Sequence, residues 1–166
     1  MPRPSHQTDF HVEPLGKQHD RSAFSCGVEP LDRYLREQAG QDARKRVAAP
    51  FALREGKGAE VLGYYTLSAL SVDVGAWPED VAKKATLLGR LAIDARLRGK
   101  GAGEFLLMDA LRRALEASRE VASVAVVVDA KDDTSASFYK RYGFIRFADQ
   151  PRRLFRPMAV IEQMFG

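Results

Sequence analysis

The 166-residue sequence predicts a mixed α/β fold in one domain, residues 1–166, with helices on both faces of the sheet. Three observations predict it. Residues 87–108, LLGRLAIDARLRGKGAGEFLLM, run from an apolar strand through a basic, glycine-laden turn directly into an amphipathic helix. Residues 121–128, VASVAVVV, are continuously apolar, as a strand covered on both faces should be. Elsewhere strand-like and helical segments alternate without a linker, a repeat or a low-complexity stretch. A hydrophobic fraction of 45% with 29% charged residues is that of a globular chain able to bury a core.

Residues 11–15 read as a first strand and residues 25–27 as a turn. Residues 30–46 are helical: Pro30 stands at the start, Leu31, Tyr34, Leu35 and Gln38 recur near helical spacing, and Gly40 is the weak point. Residues 49–53 form a short strand, REGKGAE turns the chain, and VLGYYTLSALSVDV returns as the antiparallel partner. Trp77, Pro78, Glu79 and Asp80 mark a loop or short helix, and TLLGRLAI is the central strand. Between Gly103 and Ala117, Asp109, Arg112, Arg113 and Glu116 share a solvent face, leaving Phe105, Leu106, Leu107, Met108, Leu111 and Leu115 to pack inward. DTSASFYKRYGF is a second helix, capped by Asp133 or Thr134 and ended by Gly143. RRLFRPMAVIEQMF supplies a closing strand, and its apolar tail AVIEQMF is either core or a sheet edge used for pairing.

The glycine turn has the chemistry of an anion cradle. A helix start leaves backbone N–H groups without intrahelical partners and carries partial positive charge. Gly99, Gly101 and Gly103 remove Cβ atoms that would hold a phosphate away, and Arg96, Arg98 and Lys100 add charge. A nucleotide-hydrolase loop needs a hydroxyl after its lysine, but Lys100 is followed by Gly101. A dinucleotide fingerprint needs G-x-G-x-x-G and a later acid at a strand end; here the spacing is G-x-G-x-G and Glu120 falls in a charged turn. The turn does match R-x-x-G-x-G, written as Arg98, Gly101 and Gly103.

With that motif, the order of elements around it, and Ala136, Phe138 and Tyr139 on the second helix, the chain resembles the GNAT superfamily of N-acetyltransferases. The resemblance covers nearly the whole chain and implies the GNAT acyl-CoA N-acyltransferase fold with acetyl-CoA as cofactor. It implies that Arg96, Arg98, Gly99, Lys100, Gly101, Ala102 and Gly103 hold the pyrophosphate. The backbone of Leu91, Ala92 and Ile93 would pair with the pantetheine amides, in a wedge between splayed strands at residues 87–93 and 121–128. Tyr139 would be the general acid on the CoA sulfur. Tyr142 lies four residues from Phe138 and reads as a packing residue on the same face.

No general base stands out. Asp94, Asp129, Asp132 and Asp133 fall near strand ends, where caps and turns explain them. His6, His11 and His19 fit no metal-ligand spacing, and the single Cys26 reads as a small buried hydrophobe. An α-amine titrates near about 7.7–8.0 and lower once its carboxyl is esterified, so an aminoacyl ester needs no base, whereas a lysine amine near about 10.4 does. The net charge is +4 and unevenly spread. Lys140, Arg141, Arg146, Arg152, Arg153 and Arg156 face only Asp149 in their segment, and Arg44, Lys45 and Arg46 follow Arg33 and Arg36. Two such clusters beside an anionic cofactor point to a polyanionic substrate such as RNA.

Within the GNAT superfamily the chain resembles the toxins of type II toxin–antitoxin modules. The likeness is carried by Phe24, Cys26, Gly27, Leu31, Asp32, Tyr34, Leu35, Gln41 and Asp42, then GYYTLSA, LLGRLAID and FYKRYGF. It implies an enzyme that acetylates the α-amine of aminoacyl-tRNA, blocks translation and is neutralised by a small ribbon-helix-helix antitoxin. Arg90 is then a substrate contact, and Arg44, Lys45, Arg46, Arg152 and Arg153 are candidate tRNA contacts. A homodimer is in keeping with such toxins. The alternatives are an ordinary GNAT enzyme acting on a small-molecule or protein amine, and a CoA-binding protein without turnover. No apolar run of membrane length and no signal-like stretch in MPRPSHQTDF is present, so a cytoplasmic protein is expected.

Overall fold

The computed structural model describes residues 9–72 and 83–166; the Trp77–Asp80 reading lies outside them. In chain order the elements are β1 (Phe10–Pro14), α1 (Glu29–Arg33), a π-helical turn (Tyr34–Gln38), α2 (Ala39–Lys45), β2 (Ala49–Glu55), β3 (Gly63–Val72), β4 (Lys83–Ile93), α3 (Ala102–Ser118), β5 (Ala125–Asp129), α4 (Asp133–Arg141), β6 (Ile145–Phe147), β7 (Gln150–Pro157) and α5 (Met158–Phe165). The strands follow the order β1-β2-β3-β4-β5-β7-β6 in one seven-stranded sheet. β1 and β2 pair antiparallel, β4 and β5 parallel, and β7 antiparallel to both β5 and β6, which is the mixed α/β sheet the sequence predicts. The chain divides into two compact units, Met1–Thr66 with Arg90–Leu107 and Leu67–Gly89 with Met108–Gly166.

In the first unit β1 runs along β2 from Phe10↔Glu55 to Pro14↔Phe51. Its core gathers Phe24, Tyr34, Leu35, Ala39, Tyr64 and Ala92. Tyr64 is fully buried, and its hydroxyl is satisfied by donating to the Leu31 carbonyl at 2.7 Å. The first helical segment is interrupted at Tyr34–Gln38 rather than at Gly40, which lies inside α2. Arg46, in the left-handed conformation at φ 59°, ends α2. Phe105 does not pack inward: it is 41% exposed and its ring lies 5.4 Å from Phe10.

In the second unit residues 125–128 of β5 are buried, as their apolar run requires. The strand starts at Ala125 rather than Val121. Val121 is 77% exposed and its N–H closes the end of α3 on the Ala117 carbonyl, so residues 121–124 are an irregular connection rather than strand. α4 is capped one residue earlier than expected, by Asp132, whose carboxylate accepts the Ser135 N–H at 2.8 Å; Gly143, at φ 90°, follows its end. The tail AVIEQMF is helix, not sheet edge. β7 ends at Pro157, and α5 then buries Met158 and Ile161 at i, i+3 spacing on one face. Among the described residues no helix is long and apolar enough to cross a membrane.

Candidate functional site

The turn between β4 and α3 is built by its glycines and by a buried carboxylate. Gly99 and Gly101 adopt φ 77° and 76°, a left-handed conformation that L side chains rarely take. A Cβ at either would meet no heavy atom within 4 Å, so the space above both is open. The N–H of Phe105 is the first to close α3, on the Gly101 carbonyl at 3.0 Å. Among the described residues the N–H groups of Gly99, Gly101, Ala102, Gly103 and Glu104 find no acceptor. Two left-handed glycines just before a helix N-terminus, with free N–H groups around them, form an anion-binding concavity. The residues present therefore fit a pyrophosphate.

The three cations of the turn differ. Arg98 and Lys100 are exposed. Arg98 donates one N–H to the Cys26 carbonyl at 3.1 Å, and Gly27, at φ 89°, passes beneath it so closely that a Cβ would lie 2.7 Å from the guanidinium. Gly27 thus leaves room for the Arg98 guanidinium, a contact that spacing alone does not disclose. The Arg96 guanidinium is instead held by the protein. It donates to both Asp94 oxygens at 2.8 and 3.0 Å and to Glu60 at 3.1 Å. Asp94 is 2% exposed, also accepts the N–H groups of Arg96 and Ser25, and caps the short turn Ala95–Leu97. Bonds from Arg96 lower the Asp94 carboxyl to about 2 against the cost of burial. Gly101→Val should therefore strain the turn by about 1–2 kcal/mol through its φ; calorimetry with acetyl-CoA and a melting curve measure the two effects separately.

The recorded β4–β5 ladder runs from Thr86↔Val126 to Leu88↔Val128, while β4 continues to Ile93. Among the described residues β4 has no β5 partner beyond Leu88. Residues 91–93 thus offer one free edge immediately before the glycine turn.

In the second unit Tyr139 is 8% exposed and lies edge-on to Phe138 and Phe144, with ring centroids 5.2 and 5.4 Å away. Among the described residues its hydroxyl has no hydrogen-bond partner. Burial alone raises its pKa, so the hydroxyl stays protonated. A buried, unpaired, protonated hydroxyl departs from the usual rule that buried polar groups are satisfied. Tyr142 packs edge-on to Phe138 at 5.1 Å.

The basic residues fall into three states. Arg44, Lys45 and Arg46 are exposed at the end of α2, and among the described residues none has an ion pair. Arg153 closes a fork on Asp129 at 2.7 and 2.9 Å, and Arg152 binds the Lys131 carbonyl at 3.0 Å and Asp133 at 3.3 Å. Arg90 lies with its guanidinium carbon 3.6 Å from the Tyr34 ring centroid. The remaining candidates behave structurally: His19 accepts the Gly16 N–H and pairs with Glu13, and Cys26 is buried with its N–H on Asp32.

Comparison with known proteins fits this geometry. Residues 60–156 match the family described as Acetyltransferase (GNAT) domain. A tRNA-acetylating toxin of Mycobacterium tuberculosis is 30% identical over 154 residues, 89% of this chain and 91% of that one. The structure of AtaT complexed with acetyl-methionyl-tRNAfMet aligns with TM-score 0.87 and 30% identity, over 95% of this chain and 100% of that one. A tyrosine-to-phenylalanine mutant of AtaT, bound to acetyl-CoA and the C-terminus of the antitoxin AtaR, aligns with TM-score 0.85 and 30% identity, over 95% and 98%.

Proposed function

This chain belongs to the GNAT acetyltransferase family and is an acetyl-CoA-dependent N-acetyltransferase, and from that premise we propose that it acetylates the α-amine of aminoacyl-tRNA and so blocks translation. The observation that carries the acceptor is the exposed, unpaired cluster Arg44, Lys45 and Arg46, on the same unit as the glycine turn. Such cations bind phosphates without reading sequence, and their affinity falls steeply with salt. Arg152 and Arg153 contribute through the donors left free by Asp133, Lys131 and Asp129.

The open N–H groups of residues 99 and 101–104, with Arg98 and Lys100, hold the pyrophosphate, and Arg96 acts through Asp94 to keep the turn in shape. The free edge of residues 91–93 takes the pantetheine amides. Acetyl-CoA supplies a thioester whose carbonyl carbon the amine attacks and whose sulfur leaves as thiolate. Tyr139 would give the sulfur the proton held on its hydroxyl oxygen and take back, through solvent, the proton that the attacking nitrogen loses on becoming an amide. No base is required, because the esterified α-amine is already largely neutral.

The partner that neutralises the enzyme is a small ribbon-helix-helix antitoxin, and the protein works in the cytoplasm as a homodimer. Incubation with labelled acetyl-CoA and a pool of charged tRNAs, then mass spectrometry of the released N-acetyl amino acids, tests the acceptor. Label transferred only to free amines or protein lysines would replace this reading with an ordinary GNAT enzyme. Arg98→Ala should weaken acetyl-CoA binding about 10- to 100-fold, the range of a bond to a charged group, and unchanged affinity by calorimetry would remove Arg98 from the cradle.

A further inference from the structure

One cavity of the first unit has a use that the acetyl-donor side leaves unexplained. Its volume is about 450 Å³, within the range of small-ligand sites, and Leu31, Tyr34, Glu37, Gln38 and Arg90 are among its lining residues. The π-helical turn supplies three of these side chains, and such turns recur at functional sites.

The Arg90 guanidinium carbon sits over the Tyr34 ring, 3.6 Å from its centroid, yet among the described residues none of its N–H groups has an acceptor. Tyr34 cannot swing away. Its hydroxyl donates to one Asp42 oxygen at 2.8 Å, Gln38 donates to the other at 2.8 Å, and the Tyr64 ring stacks against it at 6.1 Å and 17°. A guanidinium held over a fixed ring with its N–H groups unpaired can make two parallel bonds to an oxyanion. Glu37, exposed on the same wall and unpaired, disfavours a free dianion. It favours a singly charged phosphodiester over a terminal phosphate. Arg90 also directly precedes the free β4 edge at residues 91–93.

We propose that Arg90, clamped on Tyr34 by the Asp42–Gln38 pair, grips the phosphodiester next to the 3′-terminal nucleoside of the acceptor, with Tyr34, Asp42 and Gln38 as positioning residues. The assignment of the acceptor rests on the reading above; the anion site itself does not. The grip selects for a nucleotide-borne amine over a free amino acid ester.

Titration of the intact protein with the dinucleoside monophosphate CpA, with adenosine as the phosphate-free control, tests it. CpA should bind and adenosine should bind at least tenfold more weakly. Arg90→Lys, which keeps the charge but loses the fork, should weaken CpA about tenfold, and Arg90→Ala at least as much. Arg90→Ala should also flatten the salt dependence of charged-tRNA affinity by about 0.7–1 in log–log slope, as loss of one phosphate contact does; a residue that only supports the fold leaves that slope unchanged. Absent CpA binding, equal binding of adenosine, or CpA affinity unmoved by Arg90→Lys each overturns the proposal. If CpA binds through Arg90 while no charged tRNA is acetylated, the acceptor reading fails and the anion site stands.

Discussion

Tyr139→Phe should melt at the same temperature as the native chain or slightly higher, bind acetyl-CoA equally well, and transfer acetyl about 10²- to 10⁴-fold more slowly. The combination follows from the surroundings of the hydroxyl. Phe138 and Phe144 pack against the ring, which phenylalanine retains. The oxygen is buried without a partner among the described residues, so its removal breaks no bond and relieves a desolvated polar group. A tyrosine serving only the core would show the same stability with intact catalysis, so the transfer rate decides. Transfer measured at saturating acetyl-CoA, beside a melting curve, separates the two. Full activity in the variant would take Tyr139 out of the acid role.

Asp94→Ala should cost about 3 kcal/mol, the upper end for bonds to a charged group, and lower Tm by roughly 6–12 °C. The carboxylate accepts the N–H groups of Ser25 and Arg96 as well as two guanidinium donors, so its loss strands four donors at the entrance to the glycine turn. Acetyl-CoA affinity should fall with it, because the turn loses its anchor. The pH dependence has a definite sign. The folded carboxyl lies at about 2, below its unfolded value, so its stabilisation is complete above that unfolded value and disappears as pH falls towards about 2. Acid unfolding of the native chain should therefore contain a component between about pH 4 and pH 2 that Asp94→Asn lacks. Identical acid profiles would show that Asp94 contributes no linkage.

The parts of the site that sequence disclosed are those with local causes. The glycine turn is fixed by residues within one helical turn of each other, and the continuous apolar run of β5 reports burial directly. What escaped depends on distant partners. Asp94, buried against Ser25, together with Glu60, 36 residues before Arg96, turns a candidate phosphate ligand into a structural cation, and Phe10 covers Phe105, which helical periodicity assigns to the core. AVIEQMF is too short and too apolar for periodicity to separate strand from helix, and the helix prevails because Met158 and Ile161 bury one face after Pro157. Asp132, Asp133 and Thr134 are all capping types in a row, so composition alone could not choose among them.

The π-helical turn also sets a phase. In an unbroken α-helix eight residues rotate a side chain about 80° away from where it began. The wider turn at Tyr34–Gln38 absorbs that rotation, which is how the Tyr34 hydroxyl and Asp42 meet at 2.8 Å. Seven residues of plain α-helix rotate about 700°, only about 20° short of two full turns, so the wide turn accommodates one extra residue while leaving Asp42 and the Arg44–Arg46 cluster in nearly the phase an unbroken, shorter helix would give them. The extra residue therefore goes into the wall that carries Tyr34, Glu37 and Gln38, and a single-codon deletion there would alter that wall while sparing the register of α2.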